Sequence, residues 1–149
     1  MRSALAMKRR FVLLAPLALM LIPRRALAHA YTLGPITIGH PWAKPSVTEA
    51  AALFMALDDT GDKPDRLIGA STPIAPQIIF RDAGGDALEY YDLRPKWPLA
   101  LRPGGRYIAL HGLKKPLAID DRFPLTLHFA EVGSITVSVL VEEGADEES

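Results

Sequence analysis

The chain has 149 residues, 49% of them apolar, and no cysteine. That is enough for one domain with a core, and it excludes a disulfide framework, a thiolate metal site and a cysteine nucleophile. The zero net charge hides an asymmetry: residues 1–28 carry six cations and no acid, which leaves eleven Lys/Arg against seventeen Asp/Glu, near −6, for the rest. An acidic body repels phosphate backbones, which argues against a nucleic-acid partner.

Met1 to Ala28 reads as a secretory signal peptide. A basic stretch ends at Lys8-Arg9-Arg10, an apolar run spans Phe11 to Ile22, and Ala26-Leu27-Ala28 is a small-x-small cleavage site. Twelve apolar residues are too few to cross a bilayer as a helix, so no membrane span is expected after processing. Cleavage after Ala28 makes His29 the amino terminus, whose α-amino group and imidazole Nδ1 form a chelate suited to Cu(II). Cleavage after Ala30, also small-x-small, discards that histidine.

The remaining sequence reads as short strands. Thirteen prolines and eleven glycines suit an all-β chain with many turns. Tyr31 to Ile38 gives a first strand, interrupted by Gly34-Pro35 and so expected at an edge. His40-Pro41-Trp42 follows, with Trp42 expected to cap the core. Glu49 to Leu57 has helical propensity, yet it runs into the polar loop Asp58 to Pro64 and reads as a strand, with Met55 in the core. Pro76 to Phe80 and Ala87 to Leu93 form a hairpin about Ala83-Gly84-Gly85-Asp86.

Arg102-Pro103-Gly104-Gly105 is a turn. In the strand that follows, alternation puts Ile108 and Leu110 on the core face and Tyr107, Ala109 and His111 on the other. Phe123, Leu125, Leu127 and Phe129 then alternate with Thr126 and His128, and Ile135, Val137, Val139 and Val141 face inward on the last strand. Seven or eight strands at this spacing predict an antiparallel Greek-key β-sandwich over residues 29–141. The acidic residues 142–149 form a solvated tail.

The Pro-Gly-Gly turn with its following strand resembles the periplasmic PCu(A)C copper chaperones. Trp42-Ala43-Lys44, Asp65-Arg66-Leu67 and Gly112-Leu113-Lys114-Lys115-Pro116-Leu117 extend the similarity over nearly all of the exported chain. The resemblance implies a cupredoxin-like β-sandwich and a copper-handling role in the periplasm. Its partners would be cytochrome oxidase assembly proteins, through delivery toward the CuA centre, or another periplasmic copper protein. The His and Met positions that hold Cu(I) in that family fall on Phe80, on Tyr90 or Tyr91, and on Tyr107 and Ala109.

Carbon side chains cannot donate to Cu(I), and a phenol is a hard, weak donor at neutral pH. Two readings follow. In the first, copper is still the cofactor, and His29, His40 and His111 form a nitrogen-rich site that favours Cu(II). In the second, the protein binds no metal, and Phe80, Tyr90, Tyr91, Tyr107 and Trp97 form an aromatic patch for a protein partner. His128 faces away from the core and is expected in solvent. No enzyme motif is present: there is no Gly-x-Ser-x-Gly, no His-Glu-x-x-His and no phosphate-cradling glycine loop.

Overall fold

The computed structural model describes residues 30–144. The strands are β1 (Ala30–Leu33), β2 (Ile36–Ala43), β3 (Ala50–Asp59), β4 (Asp65–Ser71), β5 (Gln77–Arg81) and β6 (Ala87–Leu88). They continue with β7 (Tyr91–Leu93), β8 (Leu99–Leu101), β9 (Tyr107–His111), β10 (Arg122–Phe129) and β11 (Gly133–Val141). All eleven belong to one hydrogen-bonded sheet in the order β6-β5-β9-β3-β2-β11-β10-β4-β7, with β1 on β2 and β8 on β3. Every pairing is antiparallel except β11 with β2. The sheet curls into a nearly closed barrel, the all-β architecture expected. No helix among the described residues is long and apolar enough to cross a membrane.

The strand count exceeds the seven or eight expected because two expected strands are each divided and the short β8 was not expected. Gly34-Pro35 does not merely interrupt the first strand. Leu33 pairs with Ile36, so the two residues between them reverse the chain, and Gly34 supplies the required positive φ of 59°. The second division falls between Leu88 and Tyr91. β6 returns along β5, but β7 leaves it and pairs with β4. Tyr91 is thereby carried across the barrel to stack on Phe80 from inside.

The core follows the alternation read from the sequence. Phe123, Leu125, Leu127 and Phe129 on β10 and Val137, Val139 and Val141 on β11 are buried. Ile108 and Leu110 meet them from β9, and Leu53, Met55 and Leu57 from β3. Burial of this apolar face overrides the helical propensity of the alanine-rich β3.

On β2 the parity changes. Ile36 and Ile38 face inward, and so does Ala43, which simple alternation from Ile38 would send outward. A bulge between Gly39 and Trp42 makes the change, and His40 within it has a φ of 47°. Trp42 therefore does not cap the core. It is half-buried on the outer face, 4.7 Å from the Phe54 ring.

Candidate functional site

The outer face of β3, β9 and β5 carries the residues that alternation assigned to chemistry. Cα pairing sets Ala52 beside Ala109 and Ala50 beside His111 on one side. On the other, Tyr107 lies beside Arg81, Ala109 beside Ile79, and His111 beside Gln77. His111 ends β9 immediately before Gly112, whose φ is 80°. Its Nε2 is buried and has no hydrogen-bond partner. An unpaired buried ring nitrogen is costly unless something occupies it.

His40 sits elsewhere. Half of its side chain is exposed, and Nε2 lies 2.6 Å from Glu142 Oε1. A carboxylate on Nε2 selects the tautomer with the proton there and leaves the Nδ1 lone pair free. His40 lies opposite the Phe54–Ala56 stretch of β3, whereas His111 pairs with Ala50. At ~3.3 Å per residue the two histidines are roughly 13 Å or more apart along the strand. A single ion cannot bridge them, so the shared His29, His40, His111 site is not assembled. His29 lies outside the described residues, as do the signal peptide and Ala145 to Ser149 of the tail. Among the described residues no three His, Asp or Glu side chains converge on a metal-sized site.

The aromatic residues do not form one exposed patch either. Phe80 faces the core because it pairs with the inward Ile108, so the residue beside Tyr107 is Arg81. Tyr91 is also core, its ring 5.0 Å from that of Phe80. Its hydroxyl accepts from the Arg81 N–H at 3.0 Å and lies 2.8 Å and 2.6 Å from the carbonyls of Arg81 and Tyr107. Burial pushes its pKa up to about 12, against smaller lowering effects that include the Arg81 backbone hydrogen bond. Tyr90 lies on the β4 side, under the Arg66 guanidinium at 4.2 Å, and Arg66 also pairs with Asp92. Trp97 is 69% exposed in the segment between β7 and β8. The five aromatics thus divide among core, rim and loop. Exposed aromatic area at one place, which the partner-binding patch required, is missing.

Sulfur donors are equally constrained. Beyond residue 28 the one methionine is Met55, and it is core, 2% exposed. His128, expected in solvent, hydrogen-bonds Ser134 through Nδ1 at 2.8 Å. The sequence reading missed Glu142 as the partner of His40, because it counted that residue with the acidic tail. The parallel pairing of β11 with β2 brings it there, with Glu142 N–H donating to the Ala43 carbonyl.

Comparison with solved structures agrees with this geometry. The copper-bound PCuAC domain from PmoF2 is 29% identical, with 78% of this chain and 99% of that one covered at a TM-score of 0.73. The apo PCuAC domain from PmoF1 gives 28% identity, 78% and 100% coverage, and a TM-score of 0.73. CuI-DR1885 from Deinococcus radiodurans shares the fold at 23% identity and a TM-score of 0.63, over 82% of this chain and 86% of that one. Among curated proteins, "Putative lipoprotein Lxx21020" of Leifsonia xyli subsp. xyli is 26% identical over 122 residues, 75% of this chain and 74% of its own length. The model of the family described as "Putative lipoprotein LpqE-like" matches residues 36–141. The chain belongs to the LpqE-like family.

Proposed function

We propose that this is an exported copper-handling protein of the periplasm, processed after Ala28, that binds copper as cargo through nitrogen rather than sulfur. The observation that carries the reading is near full-length similarity to a copper-bound PCuAC domain, 29% identical over 78% of the chain. In this reading the inherited Cu(I) donors have been exchanged. Tyr107 and Ala109 offer neither imidazole nor thioether, and Arg81 beside Tyr107 adds a cation that opposes metal entry. Soft Cu(I) has no partner in such a set, whereas imidazole and amine nitrogens suit Cu(II).

The site we propose joins His29 to His40. Ala30 pairs with Gly39, so the neighbours of that pair along the chain are positions 29 and 40. His29 supplies its α-amino group and Nδ1, and His40 supplies Nδ1 while Glu142 holds its Nε2. That is the carboxylate–histidine arrangement that orients metal-bound imidazoles. His111 is a separate group and not a third ligand. The role is to bind and pass on an ion, with no bond made or broken in a substrate. Its recipients are the cytochrome oxidase assembly proteins or another periplasmic copper protein.

Competitive Cu(II) titration of the chain beginning at His29 tests this. His40→Ala is expected to weaken binding at least about tenfold, as loss of one ligand or its orienting group does. His111→Ala is expected to leave it unchanged. Equal affinity in the His40→Ala variant, or loss only in His111→Ala, overturns the site. Tight Cu(I) binding by the unmodified chain overturns the donor exchange itself.

A further inference from the structure

Three loops meet at the end of the barrel where β9 runs out. The Lys114 N–H donates to the Ile74 carbonyl at 3.3 Å, and Ser46 and Leu117 exchange backbone hydrogen bonds at 3.0 and 2.9 Å. The loops after β4 and β9, with the start of β10, enclose a pocket of about 380 Å³ that opens to solvent. Leu117 and Phe123 belong to the core and form its floor, while Pro73, Ile74 and Pro116 carry the apolar surface up to the mouth. Lys114, Lys115 and Arg122 line the same pocket, and all three are exposed.

The charge at this mouth runs against that of the molecule. The exported chain is near −6, yet here three cations face one carboxylate, Asp121, whose Oδ2 already accepts from the Ala118 N–H at 2.8 Å. None of the three cations is ion-paired, since the salt bridges among the described residues join His40 to Glu142 and Arg66 to Asp92. Lysines in solvent need no ligand by themselves. An apolar floor open to water beneath them does favour one, because covering it is worth about 25 cal/mol per Å² and the unneutralised charge beside it draws an anion. A bare anion such as phosphate would leave the floor wet, and a neutral hydrocarbon would leave the cations unanswered. We propose that this pocket binds a medium-chain alkyl carboxylate, with its chain on Leu117 and Phe123 and its head among Lys114, Lys115 and Arg122. The site is independent of the copper reading, since neither His40 nor Glu142 lines it.

Titration of the isotope-labelled chain beginning at His29 with octanoate, read at the Lys114 amide by NMR, tests the proposal. A saturable shift is expected. Butanoate, which keeps the head and loses four methylenes, should bind at least about tenfold more weakly. Octan-1-ol, which keeps the chain and loses the charge, should do the same, and so should octanoate with the triple variant Lys114→Met, Lys115→Met, Arg122→Met, which keeps the apolar stems. Ile74→Asp, which sets a carboxylate in the wall, should abolish the shift while amides of β2 and β3 stay in place. No saturable shift with octanoate overturns the proposal, and co-sedimentation with phosphatidylglycerol vesicles in that case would assign the cations to a membrane surface instead. Equal affinity for octanoate and octan-1-ol overturns it as well, as does undiminished octanoate binding by the triple variant.

Discussion

The Tyr91 hydroxyl ties β5 to β9 through backbone groups of Arg81 and Tyr107. Because its folded pKa is raised to about 12 from 10, the native state holds the phenolic proton more tightly than the unfolded chain does. Stability from this group is therefore complete below pH 10 and falls as pH rises toward 12. Tyr91→Phe should cost about 1–3 kcal/mol at neutral pH, through the stranded backbone groups. It should also abolish the loss specific to the alkaline range. Denaturant unfolding at pH 7 and pH 11 checks both. Asp65, with three backbone N–H groups on one carboxylate, makes a second such prediction: Asp65→Ala should destabilise by about 3 kcal/mol in the same assay.

At the scale of the element, the bulge in β2 concentrates the tension between stability and function. His40 holds a φ of 47° there, a conformation that glycine adopts freely and histidine at a cost. His40→Gly should leave the protein as stable or up to about 1 kcal/mol more so in thermal unfolding, because the exposed contact with Glu142 contributes little. It should nonetheless weaken Cu(II) binding. The turn after β9 makes the opposite case. Gly112 has a φ of 80°, and an added Cβ would meet the Pro76 ring at 2.9 Å. Gly112→Ala should therefore cost roughly 2 kcal/mol.

The same elements mark what sequence patterning can reach. Alternation on β10 and β11 made their core faces legible, because period two is a local property of the chain, whereas on β9 Ala109 is buried along with Ile108 and Leu110. The bulge was not legible, since Gly39-His40-Pro41 carries no pattern that says where one residue is added. Its effect was to flip Trp42 outward. Nor was the divergence of β7 from β5 legible. It depends on pairing with the distant β4, and it moved Tyr91 from an expected surface patch into the core. Phe80 was expected in that patch for a related reason: sequence position does not say which way a ring points, and the pairing of Phe80 with the inward Ile108 turns it into the core.

For the whole molecule, the fold is that of the PCuAC domains, and the outer face over β3, β9 and β5 carries Ala52, Ala109, Ile79, Tyr107, Arg81 and His111, none of which offers sulfur. The one methionine beyond residue 28 is enclosed in the core, so thioether ligation would require the barrel to open. X-ray absorption of the copper-loaded chain beginning at His29 tests the central claim most directly. The account predicts a first shell of nitrogen and oxygen alone, with imidazole scattering that diminishes in His40→Ala. A copper–sulfur shell would contradict it.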